Sequence, residues 1–103
     1  MSFMEIDIVT LDDALGTGAV LIDVREVDEW SDGRVPGAQH IPLATIPDRL
    51  GEVPTEGPVY VICALGGRSA RAVEFLRANG IEAINVAGGT NEWIDSGRPV
   101  ERD

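Results

Sequence analysis

The 103-residue sequence contains no lysine: its eight basic residues are all arginine, set against 18 Asp and Glu for a net charge of −10. Without lysine there is no amine for Schiff-base chemistry and no phosphate-binding lysine of a nucleotide P-loop. The excess of negative charge makes nucleic acid and anionic membranes poor partners. There is a single cysteine, so no internal disulfide can form, and a free reactive thiol suits a reducing, cytoplasmic compartment. One histidine and no His/Cys/carboxylate cluster at ligand spacing give no metal site to expect. No run is apolar over the length of a membrane span. The N-terminus, Met1-Ser2-Phe3-Met4-Glu5, has no basic residues ahead of an apolar run, so no secretory signal is predicted.

What is present fits one soluble domain over residues 1–103, with 44% hydrophobic and 25% charged residues and room for a single packed core. Phe3 to Val9 alternates apolar and acidic residues as a half-exposed edge strand does. Thr10 is expected to cap a short helix to Leu15, with Asp13 completing a capping box and Gly16 and Gly18 stopping it. Ala19 to Val24 is the compact apolar run of a buried parallel strand, and Val27 to Trp30 a short helix closed by Gly33. Ala38 to Ile41 is a brief strand, and Thr45 is expected to cap a helix that tolerates Pro47 in its first turn. Ala83 to Ala87 is a further strand, Gly88-Gly89 a tight turn, and Thr90 the expected cap of a last helix with Trp93 and Ile94. Strands alternating with helices predict an α/β fold with a parallel sheet covered on both faces.

The most informative stretch runs from Val59 to Gly80. Val59-Tyr60-Val61-Ile62 is an apolar strand, Cys63 stands where it stops, and Ala64-Leu65-Gly66-Gly67 lead into a helical pattern. Its buried face is expected from Ala72, Val73, Phe75 and Leu76, and it ends at Asn79-Gly80. A thiol in front of a helix N-terminus meets free backbone N–H groups and the positive end of the dipole, which favour thiolate. Gly66 and Gly67 permit positive φ or close approach, so N–H groups from Ala64 to Ser69 can curl around the sulfur. The longest stretch free of Asp and Glu, Gly57 to Val73, holds Cys63, Arg68 and Arg71, which predicts a locally positive anion site. Arg68 falls in the first helical turn, where the dipole disfavours a cation, so a role in closing the loop or holding an anion is expected.

Cys63-x-x-Gly66-x-Arg68-Ser69 between a buried strand and a helix resembles the active-site loop of the rhodaneses, the single-domain sulfurtransferases. Leu21-Ile22-Asp23-Val24-Arg25-Glu26 with Trp30, Gly33-Arg34-Val35-Pro36-Gly37-Ala38-Gln39-His40-Ile41-Pro42-Leu43, and Val86-Ala87-Gly88-Gly89 with Trp93 extend the resemblance in order over the whole chain. It departs at Ala64 and Leu65, where many members carry polar or basic residues, and at Arg34, where a histidine is common. The resemblance implies a three-layer α/β/α fold with a mainly parallel sheet of about five strands. It implies a sulfurtransferase that moves a sulfane sulfur from thiosulfate or a related donor to a thiol or cyanide through a Cys63 persulfide. Cys63 is then the catalytic residue, and Ala64, Leu65, Gly66, Gly67, Arg68 and Ser69 bind substrate. No cofactor is required. The partners are a small anionic sulfur donor and a thiol acceptor, a small-protein thiol included, and a monomer is favoured over an oligomer.

Two other readings stand beside this one. Cysteine phosphatases of the related fold use five residues between cysteine and arginine, whereas only four separate Cys63 from Arg68. A non-catalytic sulfur-carrier or interaction module is the other. His40 invites a role as base for Cys63, but its place before Ile41-Pro42 favours a structural one. Asp23 and Arg25 are read as a pair tying a strand end to neighbouring loops, and Trp30 and Trp93 as core.

Overall fold

The computed structural model describes residues 4–103. Five strands form one parallel sheet in the order β1-β5-β4-β2-β3. They are β1 (Glu5–Ile6), β2 (Val20–Asp23), β3 (Gln39–His40), β4 (Val59–Ile62) and β5 (Ala83–Val86). The helices are α1 (Ile8–Leu15), α2 (Val27–Asp32), α3 (Gly67–Ala78) and α4 (Gly89–Asp95), and Leu43–Glu52 forms a kinked 3₁₀ segment.

β4 lies at the middle of the sheet, and its side chains alternate between two cores. Val59, Val61 and Cys63 point into a cluster with Ala72, Val73 and Leu76 of α3 and Ile46 of the 3₁₀ segment. Ile62 and the partly buried Tyr60 point the other way, toward Ile8 and Leu11 of α1 and Trp93 of α4. The result is the three-layer α/β/α arrangement. The parity also aims the cysteine at the face on which α3 packs. Chain direction reverses its march across the sheet between β2 and β4, and the crevice at the carboxyl ends of such strands is where α/β folds place ligands. Cys63 follows the last residue of β4 at that end.

Several expected boundaries shift for local reasons. β1 is only two residues long because Asp7, not Thr10, caps the first helix: its carboxylate accepts from the Thr10 N–H at 2.9 Å, so α1 starts at Ile8. Ile6 and Ile8 still share one core across the strand-to-helix turn, which is how their spacing mimicked a longer strand. Phe3 lies outside the described residues. Thr45 and Thr90 sit inside their helical segments, not at the caps; the residue before α4 is Gly88, left-handed at φ +85°. Phe75 is 38% exposed and does not belong to the buried face of α3, which Ser69 completes instead. Among the described residues no helix is long and apolar enough to cross a membrane.

Candidate active site

The backbone turns sharply after Cys63. Gly66 takes φ +121° as the residue before α3, a conformation that side chains rarely adopt. Gly67 is different: it is the first helical residue, and a Cβ there would meet nothing within 4 Å. Its lack of a side chain therefore keeps the mouth of the loop open and is not needed for the turn. The turn brings the Gly66 N–H to 3.1 Å from Cys63 Sγ, while the Ser69 hydroxyl oxygen lies 3.3 Å from the same sulfur. Burial pushes the Cys63 thiol up, but hydrogen bonds from the Ser69 hydroxyl and from the backbone N–H groups of Ser69, Gly66 and Leu65 outweigh it. The thiol is held below its ordinary value.

Ser69 has one proton and two acceptors. Its oxygen is 2.5 Å from Asn85 Oδ1 on β5 as well as 3.3 Å from the sulfur. The amide orientation of Asn85 follows from its other contacts, since Nδ2 donates to Glu5 Oε2 at 3.0 Å and to the Gly66 carbonyl at 3.3 Å. In the thiol form the S–H can donate to Ser69 while Ser69 donates to Asn85; when the sulfur ionises, the hydroxyl proton is free to turn toward it.

The rear of the loop is held by α4. Thr90 N–H donates to the Cys63 carbonyl at 2.8 Å and Asn91 N–H to the Ala64 carbonyl at 3.1 Å. These donors reach the loop because Gly89 is left-handed at φ +63° and carries no Cβ. The Gly88-Gly89 pair thus docks the first turn of α4 against the cysteine loop.

Cys63 is 1% exposed, yet with Ala64, Leu65, Gly67 and Arg68 it lines a surface pocket. Leu65 is 72% exposed and forms an apolar lip. Arg68 is turned to Glu29 of α2 in a two-pronged pair, Nη1 to Oε1 at 2.7 Å and Nη2 to Oε2 at 2.8 Å. The pair holds the Glu29 carboxyl at about 2, chiefly through the Arg68 hydrogen bonds, and raises Arg68 further above its already high range. Glu29 Oε1 also accepts from the Glu26 N–H at 3.0 Å, the reciprocal arm of a capping box on α2. The locally positive site expected from sequence is therefore neutralised by a residue supplied from elsewhere in the chain.

The remaining candidates are structural. Asp23 and Arg25, both buried, pair at 2.8 Å, and Arg25 also donates to the Gly33 carbonyl at 2.8 Å, tying the end of β2 to the end of α2. His40 Nε2 donates to the Arg25 carbonyl at 2.7 Å, and its ring stacks on Trp30 with centroids 4.5 Å apart. It therefore braces this corner of the sheet. Trp93 is core; Trp30 is only partly buried, under the Arg34 guanidinium. Among the described residues no group of His, Cys, Asp or Glu is placed to hold a metal ion. Sequence reasoning missed Glu29, Asn85 and the two α4 donors. A polar residue between Ile84 and Val86 in an otherwise apolar strand was the available signal for Asn85.

The chain thus presents a parallel α/β sheet whose central strand ends in a cysteine, its sulfur met by the Gly66 N–H and the Ser69 hydroxyl. The Rhodanese-like domain family matches residues 8–96 of this chain, and the chain belongs to that family. It is 45% identical over 76 residues to the uncharacterized protein YqhL of Bacillus subtilis, covering 73% of this chain and 60% of that protein. It is 33% identical over 82 residues to a protein named sulfurtransferase from Allochromatium vinosum, covering 79% of this chain and 77% of that one. The crystal structure of a rhodanese-like domain protein from Staphylococcus aureus superposes with a TM-score of 0.87 at 40% identity, covering 96% of this chain and 97% of that chain.

Proposed function

We propose that this protein is a sulfurtransferase working through a Cys63 persulfide. The observation that carries the reading is the cradle itself: a buried sulfur, met by the Gly66 N–H at 3.1 Å and the Ser69 hydroxyl at 3.3 Å, inside a loop of four residues. In the first half-reaction the Cys63 thiolate attacks the outer sulfur of thiosulfate. The S–S bond of the donor breaks, sulfite leaves with the bonding pair, and Cys63–S–S⁻ remains. In the second, an acceptor thiolate or cyanide attacks the outer sulfur and leaves with it, and the Cys63 thiolate is regenerated. The N–H groups of Ala64 to Ser69 stabilise negative charge on sulfur at both stages, which is covalent catalysis with electrostatic support and needs no cofactor. A family relative bearing the name sulfurtransferase supports the reaction class. A reducing, cytoplasmic setting suits the free thiol.

Intact mass after incubation with thiosulfate, followed by cyanide, tests this. We expect one added sulfur on wild-type protein, its removal by cyanide with release of thiocyanate, and no addition to a Cys63→Ser variant of unchanged circular dichroism. A serine hydroxyl has no comparable anion at neutral pH and holds no persulfide. Sulfur transfer by the serine variant would refute the assignment.

A further inference from the structure

We propose that Glu29 is a specificity-determining residue: by clamping Arg68 it selects low-charge persulfide donors, R–S–SH, over the thiosulfate dianion. The inference rests on the sulfurtransferase reading and concerns which donor loads Cys63.

A dianionic donor needs a cation or a surplus of N–H donors at the mouth of the site. Arg68 is the one cation among the pocket's lining residues, and both its terminal nitrogens donate to Glu29. Glu26 adds a second negative charge acting on the same guanidinium. The Gly66 N–H is already directed at Cys63 Sγ, inside the cradle and away from an incoming oxyanion. The remaining wall is apolar: Ala64, Gly67 and the exposed Leu65 side chain. Around it lies a protein of net charge −10, whose field repels a dianion about twice as strongly as a monoanion. A persulfide, with at most one negative charge, meets a smaller share of these penalties, and its organic group can rest against Leu65. The loading step balances as Cys63–S⁻ + R–S–SH → Cys63–S–SH + R–S⁻: the donor's S–S bond breaks, its inner sulfur keeps the pair, and the outer sulfur with its proton passes to Cys63.

Glu29→Gln isolates the charge. The amide oxygen can still accept from the Glu26 N–H and from one Arg68 nitrogen, while the NH₂ group faces the other Arg68 nitrogen donor to donor and releases it. The probes are thiosulfate and hydroxyethyl persulfide, which carries at most one negative charge, with loading of Cys63 followed by intact mass. We expect wild-type protein to load faster from the persulfide, and the thiosulfate-to-persulfide rate ratio to rise about fivefold in Glu29→Gln as a charge is unmasked beside the dianion. Glu29→Asp, which keeps the charge, should leave the ratio near the wild-type value, an outcome that a merely structural role for Glu29 would not produce. Wild-type loading from thiosulfate should quicken with added salt, because screening relieves net repulsion; slowing with salt would reveal a working cation and overturn the inference. Loading by both donors at a ratio that Glu29→Gln does not move overturns it while leaving sulfur transfer intact. Loading by neither overturns the sulfur-transfer reading and this inference with it.

Discussion

Replacing Gly89 by alanine should damage the cysteine loop from a position that never touches the sulfur. At φ +63° an added Cβ would lie 2.3 Å from the Ala64 carbonyl oxygen and 2.6 Å from the Cys63 carbonyl oxygen. Those are backbone atoms and cannot rotate away, so either the loop or α4 must shift. The shift would break two hydrogen bonds, Thr90 N–H to Cys63 at 2.8 Å and Asn91 N–H to Ala64 at 3.1 Å. Two such bonds contribute about 1 kcal/mol each, and a non-glycine residue in the left-handed region costs a further ~1–2 kcal/mol. The total of about 3–4 kcal/mol is a large share of the ~5–15 kcal/mol that holds a domain folded. Gly88→Ala is the control. It bears the same backbone cost at φ +85°, but its Cβ would meet the Glu92 side chain, whose carboxylate at 2.4 Å can swing into solvent. Urea unfolding should place Gly89→Ala at least 2 kcal/mol below Gly88→Ala by this difference, and iodoacetamide should modify Cys63 several-fold more slowly in the former alone. Equal losses of stability with equal alkylation rates would show that α4 does not hold the loop.

Ser69→Ala removes the hydroxyl that serves the sulfur. The Cys63 pKa should rise and alkylation at neutral pH should slow several-fold; an unmoved pH profile would mean that Ser69 spends its proton on Asn85 in both ionisation states. Glu29 has a folded-state pKa of about 2 against an ordinary 4.5. Its pairing with Arg68 therefore stabilises the fold fully above the ordinary value and is lost as pH falls through about 4.5 toward 2. Thermal unfolding of wild type and Glu29→Gln should differ most at neutral pH and draw together progressively as pH falls from about 4.5 toward 2, and a gap that widened on acidification would refute the sign.

The fold was legible because its main signals are local. The apolar run at β4, the glycines after Cys63 and the Asn79-Gly80 stop each act within a few residues, so the central strand, the loop and α3 follow from chain chemistry alone. The errors arise where two local signals compete. Ile6 and Ile8 are two apart and read as one alternating strand, yet Asp7 between them caps a helix, and both side chains reach the same core through different elements. Phe75 fails for the opposite reason: its size suggests burial, but the 3.6-residue period of Ala72, Val73 and Leu76 leaves it at the margin of the buried stripe.

The site divides along the same line. The nucleophile, the turn and the helix N-terminus lie within seven consecutive residues and announce their chemistry together. What sets the site's charge does not. Glu29 reaches Arg68 across 39 positions, and Asn85 reaches Ser69 across 16 and Glu5 across 80. In the fold Glu29 accepts from the Glu26 N–H as part of the α2 capping box, and nothing local in the sequence indicates that the same carboxylate also accepts from Arg68. An acid-free stretch around the cysteine consequently looked like a positive site, although the sheet order brings α2, which follows β2, next to the loop that follows β4. Chain-local charge counts fail in a parallel α/β fold for this reason: every loop at the carboxyl end of the sheet faces loops from neighbouring strands, and those loops decide the net field at the reacting atom.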